Sequence, residues 1–98
     1  MELIRVKVRT ILEFKEILGL GDLEVSISEG SSVGDFLVEM KKTWGKGLAP
    51  RLFEPGTCNL FPHILLMVNG QNIRFLKHME TLLNNGDEIL LLPPVGGG

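Results

Sequence analysis

Residues 89–92 read Ile-Leu-Leu-Leu and are cut off by Pro93-Pro94. An apolar run without alternation fits a strand covered on at least part of both faces, which places it at the centre of a sheet. The prolines end the pairing, because neither carries a backbone donor.

The other segments supply its neighbours. Ile4, Val6 and Val8 alternate with Arg5, Lys7 and Arg9, the period of a half-buried strand. Leu23, Val25 and Ile27 alternate with Glu24, Ser26 and Ser28. The connection between the two is short, so an antiparallel pair is expected. Residues 11–18 fit a short helical turn that stops at Gly19, with Gly19 or Gly21 free to take positive φ. Ser32 followed by Asp35 is a capping-box-like helix start. Val33, Phe36, Leu37, Met40 and Trp44 then form one apolar helical face, and Gly45 and Gly47 are expected to end the helix.

Residues 45–62 are irregular, rich in glycine and proline, and long for a connection in a compact domain. A helical turn near residues 48–53 is expected there, with Leu52, Phe53, Leu60 and Phe61 packing back on the core. Residues 63–68 read as a strand, Asn69-Gly70 as a type I′ hairpin turn, and residues 71–75 as the returning strand. Residues 82–83 are expected to form a short helical turn and 84–87 a tight bend before the last strand. One main helix and a mixed sheet define an α+β roll over residues 1–92, followed by an extended tail, residues 93–98.

Lys and Arg number 10 and Asp and Glu 12, a net charge of −2. That balance lacks the basic stripe of a nucleic-acid binder and the polybasic run of a membrane anchor. The longest apolar run, residues 64–68, falls far short of the roughly 18 residues that cross a bilayer. Charges follow Met1 directly, leaving no signal-peptide core. A single cysteine, Cys58, forms no internal disulfide, so a cytoplasmic protein is expected.

No set of side chains resembles an active site. His63 and His78 lack cysteine or carboxylate neighbours at metal-ligand spacing and read as solvated or packing residues, so no metal site is expected. Cys58 has no neighbouring base. Asp87 and Glu88 are adjacent and point to opposite faces of a strand, so they do not share a proton. Gly45-Lys46-Gly47 lacks the frame of a phosphate loop. Phe36 and Trp44 read as core.

The tail is the exception. Pro93-Pro94-Val95-Gly96-Gly97-Gly98 leaves directly from the expected central strand. Six extended residues reach roughly 20 Å. Three glycines without Cβ make a thread thin enough to enter a narrow channel in another protein. Such a thread presents its terminal carboxylate inside a partner's active site.

Residues 82–98, Leu-Leu-Asn-Asn-Gly-Asp-Glu-Ile-Leu-Leu-Leu-Pro-Pro-Val-Gly-Gly-Gly, closely resemble the end of the MoaD family, the small sulfur-carrying subunits of molybdopterin synthase. Val68-Asn69-Gly70-Gln71 resembles the hairpin preceding it, and residues 4–8, 14–19 and 32–33 fit more loosely. The resemblance implies a β-grasp, ubiquitin-like fold with the first and last strands parallel at the sheet centre. It implies that an activating enzyme of the ubiquitin-activating type (MoeB-like) adenylates the Gly98 carboxylate with ATP and Mg²⁺. A sulfur donor converts the adenylate to a thiocarboxylate, and the tail enters a large synthase subunit (MoaE-like) to deliver sulfur. The chain itself binds no cofactor and is not an enzyme in this reading. Gly98 is the reacting residue, and Gly97, Gly96, Pro94 and Pro93 present it.

Two departures stand out. Gly96 replaces the small non-glycine residue often found there, and the 45–62 loop is longer than in short members, as in a specialised paralogue serving a tungsten-cofactor enzyme. The thiamine-pathway carriers share the fold and the terminal glycines; Pro93-Pro94-Val95 favours the molybdopterin branch. A protein modifier conjugated through Gly98, and an interaction module with an inert tail, are the alternatives. Phe75 and Leu76 are expected either as an apolar contact patch for partners on the exposed side of the sheet near the tail or as residues packed under the irregular 45–62 loop.

Overall fold

The computed structural model describes residues 2–10, 15, 16, 19, 21–54, 56 and 60–92. Strand β1 (Leu3–Thr10) pairs antiparallel with β2 (Asp22–Ser28), and helix α1 (Val33–Leu52) follows. Strands β3 (Leu65–Val68) and β4 (Gln71–Asn72) form a hairpin, and β5 (Glu88–Leu92) closes the fold. The sheet order is β2-β1-β5-β3-β4, with β5 parallel to β1 and antiparallel to β3. The last strand therefore lies at the centre, as its apolar run predicts. A mixed five-stranded sheet with one main helix is the β-grasp fold.

Alternation decides which face the helix covers. Ile4, Val6 and Val8, Leu66 and Val68, and Ile89 and Leu91 are buried, together with Val33, Phe36, Leu37 and Met40 of α1. Each such side chain contributes about 1.5–3 kcal/mol when fully buried. The helix start is a reciprocal capping box. The Asp35 N–H donates to Ser32 Oγ at 3.2 Å, and the Ser32 N–H donates to Asp35 Oδ2 at 3.0 Å.

The regular helix runs to Trp44, whose φ of −121° and ψ of 25° break it. The first segment thus ends about where expected, next to Gly45, but the glycines do not end helical structure altogether. A second helical segment continues to Leu52, because burying Leu52 and Phe53 in the core outweighs the glycines' weak helix propensity. The expected turn near residues 48–53 is thus part of this extension. Phe53 bridges Leu60, the Phe61 N–H donates to the Leu52 carbonyl, and Leu60 and Phe61 pack on the core as expected.

Three other boundaries differ from expectation. Strand β3 starts at Leu65 rather than His63, since a turn with the Ile64 N–H donating to the Phe61 carbonyl holds the preceding residues. The return strand is only Gln71–Asn72. Asn72 Oδ1 accepts from the Arg74 N–H at 2.9 Å and turns the chain into a 3-10 helix, Ile73–Phe75. The short helical turn expected at 82–83 lies instead at His78–Glu80, while Leu82 pairs with Ser32 as an antiparallel bridge. The Leu83 N–H donates to the Ser31 carbonyl, and this pairing keeps residues 82–83 extended.

The hairpin turn has φ of 51° at Asn69 and 84° at Gly70, the two positive values a type I′ turn requires. Gly19 takes φ of 84°, while Gly21 does not take positive φ. Most of residues 11–18, and Cys58, lie outside the described residues. No helix among the described residues is long and apolar enough to cross a membrane.

Candidate functional site

The chain runs from Leu92, the end of β5, directly into residues 93–98. The predicted site residues Pro93, Pro94, Gly96, Gly97 and Gly98 lie outside the described residues. What the fold determines is the ground from which they depart. Leu92 is paired with Leu65 at one end of the sheet, and β5 is held on both sides, by β1 and β3. The departure point is a central strand and does not depend on a loose edge.

The far end of β5 is also fixed. Asn69 Nδ2 donates to Asp87 Oδ1 at 2.9 Å, and the Glu88 N–H donates to Asn69 Oδ1 at 2.9 Å. Asp87 Oδ2 accepts from the Asn84 N–H at 2.7 Å. The Arg5 N–H donates to Asn85 Oδ1 at 2.9 Å, and the Gly86 N–H donates to the Arg5 carbonyl at 2.7 Å. The bend before β5 is thereby tied to β1 and to the β3–β4 turn. Asp87 and Glu88 have separate partners, as their adjacency predicts: Asp87 closes the bend, while Glu88 Oε1 meets Arg9 Nη1 at 3.2 Å.

The face of the sheet away from the helix carries an apolar strip. Leu65 and Met67 of β3 are cross-strand partners of Leu92 and Leu90 of β5. All four are half-buried, alternate with core residues, and stand outside the core cluster. Beside them on the same face, β1 presents Arg5, Lys7 and Arg9, and β2 presents Asp22, Glu24 and Ser26. Arg9 Nε lies 3.2 Å from Asp22 Oδ1, and Lys7 sits in register between Glu24 and Glu88. The strip was legible in principle. Two apolar runs without alternation, 64–68 and 89–92, present apolar groups to both faces, and a single helix covers only one.

Phe75 and Leu76, expected on the sheet, stand in and just after the 3-10 helix beyond β4. Phe75 is 86% exposed, whereas Leu76 is half-buried against the core. The register sets Asn72 level with Met67 and Leu90, so the turn lies at the end where β5 leaves. The Arg74 guanidinium, donating to the Pro62 carbonyl just before β3, marks the same end.

His63 stacks on Phe61 with ring centroids 5.3 Å apart, and both histidines are exposed. No group of three or more His, Cys, Asp or Glu among the described residues is placed to hold a metal ion.

The ThiS family model matches residues 9–98. Small archaeal modifier protein 3 of Haloferax volcanii is 32% identical over 93 residues, covering 95% of this chain and 98% of that protein. Sulfur carrier protein CysO of Mycobacterium tuberculosis is 29% identical over 79 residues, covering 80% of this chain and 83% of its own. The solution structure of small archaeal modifier protein 1 from Methanosarcina acetivorans superposes with a TM-score of 0.81 at 31% identity, covering 100% of both chains. With its β-grasp sheet and glycine terminus, the chain belongs to the ThiS family, among the sulfur carriers and ubiquitin-like modifiers.

Proposed function

We propose that the chain carries sulfur as a thiocarboxylate on Gly98 and delivers it in the assembly of a molybdenum or tungsten pterin cofactor. The observation that supports this most is that the family match runs to residue 98 and so includes the glycine terminus.

The chemistry requires activation. A free α-carboxylate is anionic at neutral pH and a poor electrophile. Its attack on the α-phosphate of ATP, with Mg²⁺ held by the activating enzyme, forms an acyl adenylate and releases pyrophosphate. Sulfur at the hydrosulfide level adds to the acyl carbon, AMP departs with its electron pair, one proton is released, and a thiocarboxylate remains. Reach and docking come from this chain; the catalytic groups come from a MoeB-like adenylating enzyme and a MoaE-like large subunit. The Leu65, Met67, Leu90 and Leu92 strip adjoins the tail's departure point and forms the docking surface for the adenylating enzyme, with Phe75 as a neighbouring anchor.

The test is intact-mass spectrometry after incubation with a cognate adenylating enzyme, ATP and a sulfur source. Replacement of one oxygen by sulfur is the expected result, strongly slowed when Gly98 is deleted. An unchanged mass overturns carriage. Conversion of a pterin precursor by the loaded chain with a large subunit then decides the pathway, and failure there with successful loading points to thiamine or another acceptor.

A second reading is favoured by the relative named as a modifier. The same acyl adenylate, captured by a lysine amine, releases AMP and forms an isopeptide bond. Gly98-linked lysine adducts in cells are its signature.

A further inference from the structure

We infer that β2 is a self-association edge, through which two copies of this chain join their sheets antiparallel about a two-fold axis at Val25. The two edges of the sheet differ. Strand β4 is two residues long and turns at once into a 3-10 helix. Strand β2 runs seven residues in unbroken register with β1 and has no proline, no bulge and no lysine. Natural sheets normally blunt such an edge with one of those devices or with other charges, and here the charges are Asp22 and Glu24, both within the first three residues of the strand.

The hydrogen-bond phase shows which backbone groups are free. The Thr10 N–H donates to the Gly21 carbonyl, and the Glu29 N–H to the Glu2 carbonyl. Pairs in an antiparallel ladder alternate, so Gly21, Leu23, Val25, Ile27 and Glu29 turn their backbone groups toward β1. Asp22, Glu24, Ser26 and Ser28 turn theirs outward. Among the described residues, only the Ser28 carbonyl of these has another backbone partner, the Ser31 N–H. A cleft lined by Ile27, Asp35, Val38, Glu39 and Lys42 separates this edge from α1 and leaves it open on the helix side.

A second copy fits because the strand is self-complementary in one register, and charge excludes the neighbouring ones. A homotypic pair centred on Glu24 sets Glu24 against Glu24, and one centred on Leu23 sets Asp22 against Glu24. Like charges directly opposite are unfavourable. Centring on Val25 sets Glu24 opposite Ser26 and Asp22 opposite Ser28, with Leu23 opposite Ile27. All seven residues then pair, every pair keeps its face of the sheet, and no like charges meet. The outward-turned residues become the hydrogen-bonded pairs. Val25 meets its copy at a non-hydrogen-bonded position, where side chains are closest. The half-buried Leu23 and Val25 lose their remaining exposure, and the product is a continuous ten-stranded sheet.

The experiment is sedimentation velocity of the full chain over a concentration series, with circular dichroism as the folding control. The wild-type mass should rise with concentration from 10.8 kDa toward twice that value. Ser26→Glu puts two Glu–Glu contacts across the axis, while within its own chain the new carboxylate faces Arg5, so the fold is kept. It should weaken association about tenfold. Ser26→Lys sets two Lys–Glu contacts across the axis and should strengthen it. A wild-type chain that stays monomeric to its solubility limit overturns the proposal. So does a Ser26→Glu chain that associates like wild type, or a Ser26→Lys chain that associates more weakly.

Discussion

Asn69 and Asp87 are 18 residues apart and joined by a 2.9 Å hydrogen bond from Asn69 Nδ2 to Asp87 Oδ1. The same amide accepts from the Glu88 N–H, so one side chain fixes both the hairpin turn and the start of the central strand. Asn69→Ala removes both bonds and leaves a Cβ residue at φ of 51° without a local hydrogen-bonding group. We expect a loss of about 1–3 kcal/mol in urea unfolding. Asn69→Gly keeps the backbone freedom, and its smaller loss isolates the two hydrogen bonds.

The capping box is a second point of stability. Ser32→Ala and Asp35→Ala each remove one arm of the reciprocal pair and should cost about 1 kcal/mol. Because each arm helps hold the other, the double variant should lose less than the sum of the singles in the same unfolding assay.

The open-face strip makes a kinetic prediction. Leu90→Lys leaves the helix-side core intact and places a charge in the middle of the proposed docking surface. The KM of the adenylating enzyme for this chain should rise about tenfold, corresponding to about 1.4 kcal/mol, with kcat little changed. Phe75→Ala should raise KM as well if the turn is part of the same contact. An unchanged KM for Phe75→Ala confines docking to the sheet.

Deleting Gly98 leaves a chain that still ends in two glycines, so the terminal chemistry is kept and only reach changes. The carboxyl group retreats by about 3.5 Å. Misplacement on that scale should lower thiocarboxylate formation at least about a hundredfold, measured as the initial rate of sulfur incorporation. A rate near wild type would remove the requirement for a fixed thread length.

The position of β5 was legible because an apolar run without alternation has one stable place in a sheet. The capping box and the Asn69-Gly70 turn were legible because each is a local rule satisfied by residues within three positions. The failures were tertiary. The burial of Leu52 and Phe53 was expected, but nothing local to Gly45 or Gly47 shows that helical structure resumes directly beyond the kink at Trp44. Nothing in residues 71–75 shows the turn until Asn72 is seen capping Arg74. Leu82 stays extended because Ser32, fifty positions earlier, pairs with it. The apolar strip of Leu65, Met67, Leu90 and Leu92 was missed for another reason: counting apolar residues gives no face until the number of covering layers is known.

The strand that leads into the terminus proposed to react is also the one locked between β1 and β3. Any force a partner exerts on the C-terminus is delivered along β5, parallel to β1 and across two ladders at once. Such loading shears many hydrogen bonds together, whereas an edge strand would be peeled away one bond at a time. In the proposed function, a partner that grips the terminus and draws it into its own active site would therefore leave the domain behind it folded and ready for another round.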